Sequence, residues 1–239
     1  MKIRQVVFLF IIWLIFINCS MQSRTLDDVI NIGEFVGVVR QNKIKLYKHN
    51  YFFWTVVSGL EMSLPNGYKN VFGFNSMIGV VLDNQVLFYK HDIKSKSLVE
   101  VYEIEMTLPD GFRSVFSFLN SIGVIFNGKI QFYEYDYYFH SWVLVSESEI
   151  LLPDSYNDIF CIGSMIGIVL DNQVLFYKNN FGNNSWIEVP EARMILPDGS
   201  KNVFDIGILI GIAKENNRLQ LFRYNHDTWT LISDNKFIF

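Results

Sequence analysis

Cysteine is almost absent from this sequence: there are two in 239 residues, Cys19 and Cys161. Cys19 closes an apolar N-terminal run, so a chain processed there keeps Cys161 alone, and no intrachain disulfide can brace it. The fold has to stand on its core. Proline is scarce as well, with five residues, four of them in one recurring turn. A surplus of positive charge is also missing. Lys and Arg number 20 against 24 Asp and Glu, a net charge of −4, and without Lys2 and Arg4 the balance becomes 18 against 24, or −6. A nucleic-acid partner is not expected from a chain with no basic excess.

Several catalytic and metal-binding patterns are missing too. There is no G-x-S-x-G; the near match IGSMIG around Ser164 belongs to a repeated strand, with Ser76 in the same place two copies earlier. The four histidines, His49, His91, His140 and His226, form no H-E-x-x-H or other ligand grouping. In other copies of the repeat Tyr135 and Asn179 stand where His49 and His91 do, so the histidines read as solvated loop residues. Neither a metal nor a cofactor is expected.

Apolar residues, by contrast, make up 50% of the chain and aromatics 16%, enough for a packed core and too much for a disordered chain. The N-terminus, MKIRQVVFLFIIWLIFINCS, runs from a short basic stretch through an apolar run to small and polar residues, the plan of a secretory signal. About a dozen apolar residues span only ~18 Å as a helix, short of the ~30 Å hydrocarbon core of a bilayer. Residues 1–19 are therefore expected to direct export rather than to stay as a membrane span. The placement of Cys19 resembles a bacterial lipobox, with Phe16 where that motif usually has Leu and Asn18 where it has a small residue. Two readings of Cys19 stand side by side: a lipidation site, or part of an ordinary cleavage region.

The stretch SMIGVVLDNQVLFYK at 76–90 returns at 164–178 with Ile168 in place of Val80 as the only change. Half that offset is the true period. LPNGYKNVF, LPDGFRSVF, LPDSYNDIF and LPDGSKNVF start at Leu64, Leu108, Leu152 and Leu196, 44 residues apart. Pro followed by Asp or Asn and then Gly is β-turn chemistry, with Pro expected in the second place, Asp or Asn in the third and Gly in the fourth. A glycine recurs at Gly79, Gly123, Gly167 and Gly211, and Gly37 adds an earlier copy, making five.

Each copy reads as four short antiparallel strands. In the second copy these are NVFGF, MIGVVL, QVLFYK and a last strand near Leu98 to Met106, with DN, Asn127-Gly128 or Asn42-Lys43 at the tight hairpin. Strands such as VLFYK and IGVVL are apolar on both sides, as in sheets buried on both faces. The predicted fold is therefore all-β, a five-bladed β-propeller of about 44-residue, four-stranded blades over residues 26–239. The fifth copy ends with the chain, so a ring closing between first and last blades is expected. Trp54, Trp142, Trp186 and Trp229 follow the third strand, with Leu98 in that place in the second copy, and are expected to pack blade against blade.

These blades resemble the tachylectin-type five-bladed lectin propellers. NGYKNVF (66–72), with Tyr68 and Asn70 in the aromatic and second Asn places, is similar to the turn of that family. LFYK (87–90) is similar to its hairpin end, and Trp142 and Trp186 to its later Trp. The turns differ in carrying Pro with Asp or Asn where the family is richer in Gly and carries Trp. Hemopexin repeats share the LP and the aromatic hairpin but come in fours. The resemblance implies a multivalent carbohydrate-binding ring.

Sugar recognition combines a carboxylate or amide for hydroxyl groups with an aromatic face for the apolar side of a pyranose. Asn66 with Tyr68, Asp110 with Phe112 and Asp154 with Tyr156 supply such pairs, whereas Asp198 is followed by Ser200. The alternative for these residues is simply to make turns and seal gaps between blades. On the opposite face, the loops between third and fourth strands are aromatic: Tyr51 and Phe52, then Tyr137, Tyr138 and Phe139, then Phe181. They suit contact with a surface protein or a membrane, or fold back over the rim. NNS at 183–185 in one such loop would accept an N-glycan in a eukaryotic host. The expected partner is a glycan or a surface protein, with membrane attachment through an N-terminal lipid or an uncleaved signal. A glycosidase needs paired carboxylates, and the candidates are Asp158 and Asp205 on the innermost strands with Asp28 just before the first. Blades of uniform length leave little room for a cleft, so no enzyme activity is expected.

Overall fold

The structure, a computed structural model, describes residues 28–32, 35–50, 53–180, 182, 185–206, 208–215, 218–225 and 227–236. The expected N-terminal signal with Cys19, and Tyr51, Phe52, Phe181 and His226, lie outside those residues.

The fold is all-β, a five-bladed β-propeller, and within each blade the strands pair in chain order. The first blade is Asp28–Ile32, Phe35–Arg40, Lys43–Asn50 and Phe53–Ser63. The second is Asn70–Phe74, Met77–Val81, Gln85–Asp92 and Ser97–Glu100; the third is Ser114–Phe118, Ser121–Phe126, Lys129–Asp136 and Ser141–Leu151. The fourth is Asp158–Ile162, Met165–Val169, Gln173–Asn180 and Ser185–Glu188, and the fifth Ser200–Ile206, Leu209–Lys214, Arg218–Asn225 and Thr228–Lys236. By its contacts the chain falls into two compact units, one made of residues up to 124 with 133–143, the other of 125–132 with 144–238.

Two local devices recur among the blades. The hairpin at 41–42 has both central residues at positive φ (52° and 59°), and so has Asn127-Gly128 (51° and 72°), the requirement of a two-residue turn that matches strand twist. Gln41-Asn42, rather than Asn42-Lys43, is thus the turn of the first blade, because Lys43 already pairs with Arg40. The recurrent glycine has a steric cause. A Cβ on Gly79 would sit 2.5 Å from Cζ of Phe72, its register partner on the first strand, and Gly167 has the same relation to Phe160. The ring lies flat across the glycine, and any side chain there would displace it.

In the first unit, Ile30, Ile32, Ile44, Leu46 and Leu60 of the first blade bury against Val71, Ile78 and Val80 of the second. In the second unit, Phe160, Val174, Phe176 and Met194 of the fourth blade meet Val203, Ile210 and Ile212 of the fifth. Three of the tryptophans join blades, and the side chain of Trp54 lies outside the described ones. Trp142 stacks on Phe88 of the preceding blade at 5.5 Å and donates from Nε1 to the Ile104 carbonyl at 2.8 Å. Trp186 stacks on Phe132 at 4.8 Å and donates to the Ser148 hydroxyl, and Trp229 lies over Phe176 and donates to the Ala192 carbonyl. Leu98 packs against the cluster that contains Leu46 and Leu60.

The fourth strands come in two kinds. The expected continuous strand from Leu98 to Met106 is broken: Ser97–Glu100 gives way to the 3-10 turn Tyr102–Ile104, and Met106–Thr107 then rejoins the sheet. The fourth blade repeats this with Pro190–Ala192 and Met194–Ile195. Pro190 cannot supply a ladder N–H and fits the start of a helical turn. In the first, third and fifth blades the strand is unbroken, and in the first and fifth it absorbs extra residues through a register shift. Blades of one kind therefore alternate along the chain, the near-identical second and fourth blades sharing the broken outer strand.

Candidate functional site

The four LPDG-type turns close alike. The N–H groups of Tyr68, Phe112, Tyr156 and Ser200 donate to the carbonyls of Pro65, Pro109, Pro153 and Pro197 at 3.1–3.3 Å. Proline is thus in the first place rather than the second, and glycine is in the third, where Gly67, Gly111 and Gly199 take φ near +75°. That positive φ is the reason for glycine, and the proline position follows from it.

Asn66, Asp110, Asp154 and Asp198 all point to solvent, whereas Tyr68, Phe112 and Tyr156 are half-buried. Tyr68 packs against the core of the first unit. The Lys69 ammonium lies 5.0 Å from the Phe112 ring centroid while it pairs with Asp83 at 3.0 Å. Two turns later Asn157 makes the matching link, donating to Asp171 at 2.9 Å. The rings of these turns therefore serve packing, and their polar neighbours remain available.

The inner strands carry the carboxylates. Asp158 Oδ1 accepts from the Ile159 N–H at 2.8 Å, and burial pushes its carboxyl up. Its counterpart Asn70 does the same with Val71 and also donates to the Val115 carbonyl of the next blade. Asp205 keeps a solvent-reaching side chain, yet the protein around it strips enough water to push its carboxyl up to about 6. Burial, with the charge of Asp205 second, also pushes the Cys161 thiol up, the opposite of what an attacking thiolate needs. The side chain of Asp28 is outside the described ones. Among the described residues no three His, Cys, Asp or Glu side chains group closely enough to hold a metal ion.

The loop of the third blade differs from both. Tyr137, Tyr138 and Phe139 are 75%, 84% and 70% exposed, so they do not fold back over the rim. The loop is nonetheless tied down. Asp136 Oδ1 accepts from the N–H groups of Tyr138 and Phe139 at 2.8 and 3.1 Å, an Asx turn. Tyr135 at its base donates to the Glu103 carbonyl at 2.8 Å and holds Tyr137 edge-on at 5.1 Å, with Trp142 behind it at 5.4 Å. Tyr138 and Phe139 also meet edge to face.

Sequence reasoning singled out these three rings but missed their anchor, Tyr135, and the exposed Tyr102 on the 3-10 turn whose Glu103 carbonyl holds that anchor. The break in the outer strand creates that turn, and no periodicity signals it. His91 also departs from expectation: it is a half-buried strand residue, edge-on to Phe35 at 5.9 Å, because its side chain meets the neighbouring blade. Among the described residues no helix is long and apolar enough to cross a membrane.

No protein-family model matches the sequence, and no curated protein matches it. Among solved structures, Hsv2 with its complete loop 6CD from Kluyveromyces lactis superposes with a TM-score of 0.50 at 10% identity, over 88% of this chain and 63% of that one. A protein from Lactobacillus plantarum gives 0.49 at 10% identity, over 90% and 72% of the two chains. PorZ, a bacterial surface component of the type-IX secretion system of Porphyromonas gingivalis, gives 0.44 at 8% identity, covering 87% of this chain and 28% of its own. At such identity the likeness to Hsv2 concerns the fold alone.

Proposed function

We propose that the protein is an exported, non-catalytic binding propeller that captures a partner protein on the aromatic loop of its third blade. The observation that carries this reading is the exposure of Tyr137, Tyr138 and Phe139 on a loop held by Asp136 and Tyr135. Exposed rings on a pre-ordered loop bury large apolar area on contact and lose little conformational freedom, and aromatic residues are enriched among binding hot spots. Export follows from the basic, apolar and polar order of residues 1–19. Replacing Tyr137, Tyr138 and Phe139 together by Ser tests the reading. Co-purification of a defined partner from the producing cells is expected to be lost while the circular dichroism spectrum and melting temperature stay as in the parent. Unchanged capture would overturn it.

Glycan binding at the LPDG turns is the second reading, favoured by four solvent-facing amide or carboxylate side chains at equivalent places and by the resemblance to tachylectin-type blades. Several weak, equivalent sites gain strength through multivalency. Its test leaves the packed rings alone: Asn66, Asp110, Asp154 and Asp198 are changed together to Ala. Glycan-array binding by the parent that vanishes in this variant is the expected result, and no binding by a folded parent counts against it.

A further inference from the structure

We propose that the first blade carries a site for a dianionic group, a phosphate or sulfate monoester. A cavity of about 400 Å³ opens there, lined by Arg40, Lys43, Lys45 and Glu61, with Val38 and Tyr47 adding apolar surface. This volume suits a sugar-sized ligand.

The charge balance of this wall is unlike that of its counterparts. In the third blade Lys129 and Gln131 both reach Glu149, at 2.7 and 2.9 Å. The fifth blade repeats the arrangement with Arg218 and Gln220 on Asp234, at 2.8 and 3.0 Å. One cation and one neutral amide hydrogen-bond to one carboxylate there, with the charge of Lys214 a lesser influence on Asp234. In the first blade the amide is replaced by a second cation, Lys45. Lys43 and Lys45 divide the two oxygens of Glu61 between them at 3.3 and 3.2 Å, and their hydrogen bonds hold that carboxyl below its usual range.

Even with Arg40 engaged elsewhere, two ammonium groups face a single carboxylate. Each ammonium carries three donors and spends one on Glu61, so several donors remain for a second anion. A phosphate monoester carries close to two negative charges at neutral pH and offers several strong acceptor oxygens, and a sulfate monoester is its nearest analogue. The recess of the cavity beside Val38 and Tyr47 gives the uncharged part of the molecule a place to lie.

Calorimetric titration of the protein with glucose 6-phosphate, and co-sedimentation with phosphatidylcholine vesicles containing phosphatidic acid, separate a soluble from a lipid-borne source. Lys45→Gln recreates the residue pattern of the third and fifth blades, so it is expected to fold and to bind at least tenfold more weakly. Glu61→Gln removes the competing carboxylate and is expected to bind more tightly. Opposite shifts in the two variants support the site, whichever probe shows them, whereas a purely structural network would not tighten when Glu61 is lost. Failure of the parent to bind either probe, or equal binding by parent and Lys45→Gln, overturns the proposal.

Discussion

The hydrogen bond from Trp186 to the Ser148 hydroxyl, 2.8 Å long and almost wholly buried at the serine, has a silent counterpart two blades earlier. There Leu98 takes the tryptophan place and Leu60 the serine place, and neither has a polar side chain to satisfy. In the second and fourth blades the acceptor for the clamping indole is a carbonyl of the 3-10 turn, at Ile104 or Ala192; the third blade has no such turn and uses Ser148. Ser148→Leu alone strands a half-buried indole N–H and is expected to lower stability by about 1–3 kcal/mol. Combined with Trp186→Leu, the loss is expected to be smaller than the sum of the single changes by about 1 kcal/mol in urea denaturation. Leu119 shows the reverse situation. It holds φ of +53° with its side chain largely exposed, where the second and fourth blades have Asn75 and Gly163. Leu119→Asn is expected to stabilise by about 0.5–1 kcal/mol, since the left-handed conformation disfavours leucine and no buried contact is lost. Asp205 carries a third test. Its folded carboxyl titrates near 6, above its unfolded value, so its ionisation opposes folding: the penalty is absent below about pH 4, grows between pH 4 and 6, and is complete above. Asp205→Asn is therefore expected to raise the melting temperature at pH 8 and to leave it unchanged at pH 4.

At the scale of the element, the repeat was legible because each landmark answers a backbone requirement. Glycine recurs in the second strand because the Phe72 or Phe160 ring occupies the place of its side chain, and again in three of the four LPDG-type turns, where the third place takes positive φ. Such demands recur with the fold and so appear as a period of 44. The two kinds of outer strand were not legible. YEIE and PEAR sit in stretches with the composition of a strand, and only Pro190 hints at the interruption; the second blade makes the same turn without a proline. Burial of the turn aromatics was also hidden, because a ring that seals a blade and a ring that stacks on a sugar share one residue type. Exposure of the 137–139 loop depends on Tyr135 reaching a carbonyl 32 residues earlier, a contact that local patterning does not encode. The basic wall of the first blade escaped notice for a related reason: Lys45 stands out only once Gln131 and Gln220 are known to share its place beside a carboxylate.

For the whole molecule, the fold alone does not fix a function, so the proposed binding role rests on features that the blades do not share. The blades differ in their loops and in a few charged positions. Of these, the aromatic loop presents three exposed rings on a backbone held by Asp136 and Tyr135. Its role is tested most directly by placing a photo-crosslinking amino acid at position 138 and irradiating the producing cells, with a second probe at position 110 in an LPDG turn. One discrete protein adduct is expected from position 138, lost when Tyr137 and Phe139 are changed to Ser, and none from position 110. An adduct from position 110 alone, or one at position 138 that survives those substitutions, would contradict it.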